Sequence, residues 1–323
     1  MWKIIVRLLV LSLFIAVIAL ATWWFLLQAP SSTEVASQRF VIPRGQAVVK
    51  IAGRLHEAGL IKHELAFRLL VYKNGLNNKI QAGSFELAAH MNANEIMNRL
   101  ISGTDDIWLT FPEGWRREEI AESVAKQELI NFDPDEFLQL SKGLEGQLFP
   151  DTYLVSRSLS AAALVDLLNN TFKSKVSTPL AKEIANHPWS LNQILTLASL
   201  VQRESANDGE MSLVAGILSH RLKIGMPLQV DATLQYVRGF SKVENTWWPT
   251  PLAVDKELDS PYNTYKTAAL PPAPICNPSL AAIKAVLNPT ATTALYYIHD
   301  NQGRIHTATT LSEHNQNVNT YLR

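Results

Sequence analysis

Cysteine is almost absent from this sequence. Cys276 is the single cysteine among 323 residues, which excludes an intramolecular disulfide and any zinc or iron–sulfur site held by several thiolates. Glycine and proline, at 14 and 16 residues, are too few for a collagen-like or low-complexity chain. A stable fold must therefore rest on the packing of apolar side chains.

The chain also lacks an excess of charge of either sign. Its 29 Lys and Arg residues match its 29 Asp and Glu residues, and charged residues make up 18% of the sequence against 47% hydrophobic. Nucleic-acid binding requires a clustered basic face, so nucleic acid is not expected as a partner. The apolar content argues against intrinsic disorder, and the length predicts two or three domains.

One long hydrophobic run lies near the N-terminus. Residues 8–27 contain no charged side chain, and as a helix rising about 1.5 Å per residue they would span roughly 30 Å, the thickness of a bilayer core. Lys3 and Arg7 precede the run and the next basic residue is Arg39, so the positive-inside rule predicts a cytoplasmic N-terminus. We expect a single-pass anchor in a bacterial inner membrane, with the bulk of the chain in the periplasm.

A cleaved signal peptide is the alternative for this segment. Residues 19–21, Ala-Leu-Ala, imitate a small-x-small cleavage site after a basic start. The apolar run continues through Trp23 to Leu27, which a signal peptide does not need, so the anchor is favoured.

The patterns along the chain predict an α+β fold built from several segments. Residues 1–29 form a cytoplasmic stub and the transmembrane anchor, and residues 30–39 are small and polar, as in a short linker. A compact α+β module is expected at 40–103, a connecting subdomain at 104–150 and a mixed α+β domain at 151–323.

Periodicity and breaker residues define the expected elements. Strands are expected at 40–42, 83–87 and 107–111, with a hairpin at 295–299 and 304–308; helices are expected at 48–58, 63–73, 94–100, 118–128, 160–175, 178–186, 190–204 and 211–223, with a final helix begun by Ser312. The helix at 190–204 has the strongest pattern.

A capping box begins that helix, because Ser190 stands three residues before Gln193. An apolar face follows, and helical spacing places Glu204 beside it. A carboxyl beside an apolar stripe loses hydration, which raises its pKa and suits a general acid. An ion pair with Arg203 or a capping role is the structural alternative, and spacing alone does not decide.

Residues 197–205, LASLVQRES, resemble the L-A-S-[IL]-[VI]-x-x-E-[TS] helix of the endolytic murein transglycosylases, the MltG or YceG-like family. Other segments resemble further motifs of that family: FPEGW at 111–115, LEGQLFPDTY at 144–153, HRLKIGMPLQVDAT at 220–233, PYNTY at 261–265 and LPPAPICNP at 270–278. Several long motifs in order are far more specific than any single one.

The resemblance implies a LysM-like subdomain at 40–103 and a catalytic domain at 151–323. It also implies a non-hydrolytic cut of nascent peptidoglycan between N-acetylmuramic acid and N-acetylglucosamine, which leaves 1,6-anhydro-muramic acid ends and stops strand elongation. Glu204 matches the family's catalytic carboxylate, which first protonates the leaving oxygen and then deprotonates the C6 hydroxyl. The implied partners are glycan strands and peptidoglycan synthases, and no cofactor is implied.

Six residues of the matching motifs are candidates for substrate binding. They would bond N-acetyl or hydroxyl groups or line the cleft, although turn stabilisation accounts for the same residues equally well. Asp231 is in addition a candidate for a second carboxylate in the cut. The six are Gln229, Asp231, Thr233, Tyr262, Asn263 and Tyr265.

Structural roles are expected for several other conspicuous side chains. Trp247 and Trp248 are more consistent with loop packing than with stacking on a sugar. Glu145 and Asp151 lie in a segment typical of a turn that feeds a strand or helix. The lone histidines of the tail lack metal-ligand spacing, so no metal site is expected.

Three residues depart from the family's pattern: Ala232 stands for the usual Pro, and Ala269 and Ser279 each stand for a Gly. None of them is the carboxylate. They leave the geometry of the loops around Asp231 and Pro271 open, because Pro and Gly change the permitted φ of a turn.

A catalytically inactive, membrane-anchored peptidoglycan-binding scaffold for a synthase is the alternative function. A hydrolase of the same bond is a third reading, with Asp231 or Glu210 activating water. Replacing Glu204 by Gln separates the enzyme from the scaffold, and the mass of the products separates the lyase from the hydrolase, because anhydro ends are one water lighter.

Overall fold

The computed structural model describes residues 2–33, 36–43, 45–103, 106–127 and 129–322, without the side chains of residues 3–6. The chain forms two compact units. The first comprises Met1–Trp108 with Leu154–Arg157, and the second comprises Leu109–Tyr153 with Ser158–Arg323. The Lys3 side chain, residues 34 and 35 of the predicted linker, the boundary at residue 104 and Glu128 lie outside what is described.

The first unit mixes helices and strands, as predicted. Its elements are α1 (Trp2–Leu27), β1 (Gln38–Ile42), α2 (Val48–Glu57), α3 (Glu64–Lys73), β2 (Gly83–Leu87) and α4 (Ala93–Ser102). β1 and β2 pair antiparallel, with Phe40 opposite Phe85. The strands and helices predicted for residues 40–103 are thereby confirmed.

Side-chain periodicity explains the core of this unit. Phe40 and Ile42 alternate to the inner face of β1, while Ile51 and Leu55 form the inner face of α2, and all four belong to one buried cluster. Full burial of such a side chain contributes about 1.5–3 kcal/mol. Apolar packing therefore holds this unit together, as the scarcity of cysteine requires.

α1 contains the segment predicted to cross a membrane. Within the described part of the chain, Arg7–Leu27 is the helix long and apolar enough to do so, with 21 residues and a mean hydropathy of 2.5, and it is compatible with a single-pass anchor. The C-terminal end of α1 also packs against the rest of the first unit, where Leu27 is buried and Trp23 and Leu26 lie against the core. Residues 28–37 thus join two parts of one unit.

The second unit contains most of the helices. They are α5 (Arg117–Ala125), α6 (Pro134–Leu140), α7 (Ala161–Phe172), α8 (Ala181–Asn186), α9 (Leu191–Glu204), α10 (Met211–Lys223), α11 (Asp231–Arg238), α12 (Leu280–Leu287) and α13 (Leu311–Tyr321). The hairpin of β5 (Tyr296–His299) and β6 (Ile305–Ala308), which pair antiparallel, accompanies them. β3 (Asp106–Thr110) pairs with β4 (Thr152–Ser156), and residues 106–108 and 154–156 of these two strands belong to the first unit. The boundary predicted at residue 150 stays a prediction, since both of its sides belong to this unit.

α9 forms the centre of the second core. All residues from Ile194 to Val201 are buried, and α10 and α12 pack against this helix. The backbone at Thr290 approaches α10 so closely at residue 216 that only glycine fits, because a Cβ at Gly216 would lie 2.0 Å from the Thr290 carbonyl oxygen. The tight packing fixes where the end of α9 points.

Several sequence predictions need correction. The patterns miss α6, β4, α11 and α12. The final helix begins at Leu311 and not at Ser312, because Thr310 forms the capping box with Glu313. The helix expected at 160–175 ends at Phe172, because residues 173–177 continue as a π-helical turn, and the helix expected from 178 begins at Ala181.

Candidate active site

Glu204 is the last residue of α9. The capping box predicted for Ser190 and Gln193 is formed at the other end of the helix, and burial of the apolar face fixes the rotation of the helix about its axis. Glu204 is partly buried, and its Oε2 accepts a 2.6 Å hydrogen bond from the Tyr297 hydroxyl on β5. The carboxyl is thus held between a helix and a hairpin while still reaching the surface.

The surroundings of Glu204 raise its pKa. Burial is the main cause, and the negative charge of Asp231 acts in the same direction. The Tyr297 hydrogen bond and the charges of His299 and Arg221 lower the pKa without cancelling the effect of burial. Because the negative end of a helix dipole also disfavours a carboxylate, the position at the end of α9 suits a protonated acid.

Tyr297 directs the proton of this carboxyl. Burial raises the pKa of Tyr297 well above its ordinary value, and the neighbouring Glu204 adds to the effect. The phenol therefore stays protonated and donates to Oε2 of Glu204. A proton on the carboxyl is then placed on Oε1, the oxygen that Tyr297 does not occupy.

Asp231 and Tyr265, two of the predicted substrate residues, are brought together near Glu204. Asp231 is the exposed first residue of α11, and its Oδ1 accepts a 2.6 Å hydrogen bond from the Tyr265 hydroxyl. Burial raises the pKa of Tyr265, and the charges of Asp231 and Glu204 raise it further. The site thus pairs each of its two carboxyls with a tyrosine hydroxyl.

Gln229 lies two residues before Asp231 on an unusual backbone. Its φ of 53° is in the left-handed region that few side chains other than glycine adopt. Its N–H donates to the Thr264 carbonyl over 3.0 Å, and its side chain is exposed. The strained turn presents the Gln229 amide to solvent beside the start of α11.

Thr233 and Asn263 hold this region from within. Both are fully buried. The Thr233 hydroxyl donates to the Val230 carbonyl over 2.7 Å, while the Asn263 amide donates to the Lys256 and Leu258 carbonyls. These hydrogen bonds are made within the protein and both side chains are shielded from solvent, so the two residues stabilise the loops and are not exposed to a substrate.

Tyr262 is the sixth predicted residue. Its ring lies 5.0 Å from that of Tyr236, centroid to centroid, and it is partly buried. Of the six candidates, the structure therefore brings Asp231 and Tyr265 into electrostatic reach of Glu204 and leaves Gln229 exposed next to them.

Sequence reasoning gave no role to three residues around Glu204. His299 Nε2 lies 2.7 Å from Oε1 of the buried Glu210. Arg221 is buried and donates to the Leu295 and Leu228 carbonyls, both over 2.6 Å, which ties α10 to the start of the hairpin. The third is Tyr297; its alternation with His299 on the predicted strand was the available signal.

Arg203 does not serve as the partner of Glu204. Its guanidinium lies 3.9 Å from the centre of the Trp248 ring, and the indole N–H of Trp248 donates to Glu119 over 2.9 Å. Trp247 donates to Glu122 over 3.0 Å. The two tryptophans pack their loop onto α5, in line with the packing role expected for them.

Glu145 is another carboxyl whose pKa is raised by burial. Burial raises its pKa to about 8, and the nearby Glu118 charge contributes. Glu145 accepts hydrogen bonds from the Asn277 amide over 2.8 Å and from the Arg117 N–H over 3.3 Å. Asn277 in turn bonds the N–H groups of residues 146 and 148, so this buried cluster joins distant motifs of the sequence.

The tail histidines and Asp151 are engaged in local contacts. Asp151 pairs with Lys175, His306 lies 3.0 Å from Asp300 Oδ2, and the His314 ring stacks on Tyr296 at 5.2 Å. Among the described residues no group of three or more His, Cys, Asp or Glu is arranged to hold a metal ion.

Fold and site together define a class of structure: an α+β unit in which a partly buried glutamate at a helix end is faced by tyrosines. A family model described as YceG-like family matches residues 40–320. The chain belongs to this family. The family resemblance seen in the motifs is thereby confirmed.

Individual relatives carry informative names. A protein of Bacillus subtilis named endolytic murein transglycosylase is 32% identical over 87% of this chain and 84% of its own length. A protein of the same name from Streptococcus pneumoniae is 30% identical over 88% of this chain. The present chain spans only 59% of the length of that pneumococcal relative.

A solved structure is also similar. The crystal structure of a YceG-like protein from Listeria monocytogenes superimposes with a TM-score of 0.56 and 25% sequence identity. The match covers 88% of this chain and 99% of the Listeria chain. The similarity thus extends over most of the molecule, beyond the individual motifs.

Proposed function

We propose that this chain is an endolytic peptidoglycan lytic transglycosylase in which Glu204 is the catalytic residue. The observation that carries the proposal is a partly buried carboxyl whose pKa burial raises and whose Oε2 is bound by Tyr297. It lies within the segment matched by the family. The names of the relatives from Bacillus subtilis and Streptococcus pneumoniae support the substrate class.

The first step is protonation of the leaving group. Glu204 holds a proton on Oε1 and gives it to the glycosidic oxygen as the bond between that oxygen and the anomeric carbon of N-acetylmuramic acid breaks. The raised pKa serves this step because the acid must still be protonated near neutral pH. Tyr297 keeps its bond to Oε2 and stabilises the carboxylate that forms.

The second step returns the proton. The C6 hydroxyl of the same muramic acid attacks the anomeric carbon, a bond between C1 and O6 forms, and the hydroxyl proton passes to the Glu204 carboxylate. The acid is restored and no water is consumed, so the product carries a 1,6-anhydro ring. One carboxyl suffices, since the sugar supplies the nucleophile that a hydrolase takes from a second carboxylate or from water.

Asp231 and Tyr265 are the proposed contacts for the substrate, with the exposed Gln229 amide beside them. Asp231 also raises the pKa of Glu204 through its charge. Glu210 is less suited to activate water in a hydrolase, because it is buried and bound by His299 and the Ala206 N–H. Thr233, Tyr262 and Asn263 are retained as residues that support the loops beside Asp231 and Tyr265.

The setting of the enzyme completes the proposal. α1 anchors the chain with its N-terminus in the cytoplasm and the bulk of the chain in the periplasm of a bacterial envelope, by the charge asymmetry around the apolar run. Residues 40–103 form a LysM-like subdomain, residues 104–150 connect it to the catalytic domain at 151–323, and peptidoglycan synthases are the working partners.

The decisive experiment digests purified glycan strands with the full chain and with Glu204→Gln, and identifies the product ends by mass spectrometry. We expect anhydro ends from the unaltered chain and none from Glu204→Gln, whose folding is checked by circular dichroism. Glu183→Gln, an equivalent change at an exposed position of α8, is the matched control.

Three other outcomes would contradict the proposal. Anhydro ends from Glu204→Gln would remove Glu204 from the chemistry. Reducing ends from the unaltered chain would indicate a hydrolase. Strand binding without any cut, in both proteins, would favour the inactive scaffold.

A further inference from the structure

An exposed apolar patch lies on the first unit, away from its core. Four large apolar side chains of the patch are exposed to solvent: Leu69 by 46%, Leu65 by 49%, Val49 by 52% and Tyr72 by 73%. They border a shallow cavity of about 380 Å³. The apolar patch consists of Val48, Val49, Leu65, Leu69 and Tyr72, with Arg68 and Asn77 at the same cavity.

Helical geometry places the patch on one outer face of α3. Leu65, Leu69 and Tyr72 follow each other at spacings of four and three residues, which is one stripe of a helix. The inner stripe of the same helix, which includes Phe67 and Val71, is buried. α3 is thus apolar on two sides, and one of them is unexplained by the packing of this unit.

The end of α1 contacts the same part of the unit. α1 packs against α3, and the Lys62 ammonium lies 4.0 Å from the centre of the Phe25 ring. Lys62 stands two residues before α3 begins, and Leu65 lies in the first turn. The patch therefore starts within one helical turn of the point where the membrane-compatible helix meets the unit.

We propose that this patch rests on the surface of the lipid bilayer that α1 enters. Leu27 at the end of α1 is buried in the first unit, so the unit is held at the membrane and not at the end of a free tether. Aliphatic side chains, a tyrosine and a basic residue together are the composition suited to the interface between headgroups and acyl chains. Two contacts with the bilayer, one through α1 and one through the apolar patch, would fix the distance and tilt of the unit over the membrane surface.

Two basic side chains near the patch fit this occupant. Arg68 is partly buried at the cavity, where its aliphatic stem covers apolar surface and its head can reach lipid phosphate. Lys62 lies at the entry point of α1. The inference does not depend on Glu204 or on any activity of the second unit.

The test places the full chain, one copy per disc, in lipid nanodiscs and reports the environment of single positions. Leu69→Cys and Tyr72→Cys carry a polarity-sensitive fluorophore, and Asn98→Cys, on the exposed face of α4, is the matched control. The unaltered chain is the labelling blank, because its only cysteine, Cys276, is fully buried.

We expect the labels at 69 and 72 to shift to shorter emission wavelength and to be quenched by nitroxide lipids at least about twofold more strongly than the label at 98, since interfacial side chains lie several Å inside the headgroup boundary. Equal water exposure at all three positions would overturn the proposal. Shielding without lipid quenching would overturn it as well, because protein would then cover the patch. Shielding that arises only with several copies per disc would assign the patch to a second copy.

Discussion

Glu204 and Glu145 of the second unit both have a pKa raised by burial, yet their surroundings differ. Glu145 is 7% exposed and bound by Asn277 and Arg117, groups that belong to the framework. Glu204 is partly exposed, ends a helix and is bound by a tyrosine hydroxyl. A shifted pKa alone therefore does not identify a catalytic acid, and access to substrate makes the difference.

The two sites also use their hydrogen bonds differently. The hydrogen bond from Asn277 to Glu145 joins segments 144–153 and 270–278, and the same Asn277 amide donates to the Trp115 carbonyl of segment 111–115, so the carboxyl is part of a buried junction of the fold. The bond of Glu204 to Tyr297 leaves one oxygen for a proton that can be transferred. We expect substitutions at the two sites to separate activity from stability.

The largest effect is expected for Glu204→Gln. The amide keeps the size of the side chain and cannot transfer a proton, so the rate of glycan cleavage should fall by about 10²–10⁴-fold, the range of general acid–base catalysis. The free energy of unfolding, measured by denaturant titration, should change little. If Glu204→Gln unfolds more easily and still cuts at the normal rate, Glu204 has a structural role and the expected difference from Glu145 is wrong.

Glu145→Ala is expected to act on stability. It leaves the buried Asn277 amide and Arg117 N–H without their acceptor, which should lower the free energy of unfolding by about 2–5 kcal/mol. The rate per folded molecule should stay within a few-fold of normal. Denaturant unfolding of this variant beside Glu183→Ala, at an exposed site, measures the effect; loss of cleavage at unchanged stability would contradict it.

The pH dependence of stability sharpens the role of Glu145. Its pKa is raised from 4.5 to about 8 in the folded chain, so its contribution to stability is fully present below the unfolded value and is lost as the pH rises towards 8. Replacing Glu145 by Gln should remove this part of the decline. Unfolding measured at several pH values tests it, and an unchanged pH profile would assign the decline to other groups.

Tyr297→Phe should have an intermediate effect on activity. It removes the hydrogen bond that lowers the pKa of Glu204, so that pKa rises and the alkaline limb of the rate profile moves to higher pH. Loss of the bond to the developing carboxylate should slow the cut by roughly tenfold. A pH–rate profile measures both, and a lower rate without any shift would indicate a structural role alone.

Asp231→Asn should shift the pH–rate profile in the opposite direction, and this is the smallest effect that we expect. The Asp231 charge raises the pKa of Glu204, so its removal should lower that pKa and move the alkaline limb to lower pH. Comparison with Tyr297→Phe in the same buffers gives the sign. Complete loss of cleavage at every pH would instead make Asp231 a second catalytic carboxylate.

Local pattern alone determined a large part of this protein. The apolar run of α1, the strands and helices of residues 40–103 and the capping box of α9 follow from side-chain periodicity and end residues, which act within a few positions of the chain. The position of Glu204 beside an apolar stripe was predicted for the same reason. α6, α11 and α12 were missed because helices of seven or eight residues hold only about two turns of pattern.

Tertiary structure decided what the local pattern left open. Tyr297 is 93 positions from Glu204, and only the packing of α9, α10 and the hairpin brings its hydroxyl to Oε2. The same packing turns Thr233 and Asn263 inward while leaving Asp231 exposed. Helical periodicity fixes which side of its own element a residue occupies, whereas its partner depends on how distant elements pack, because that choice is made by burial over the whole core.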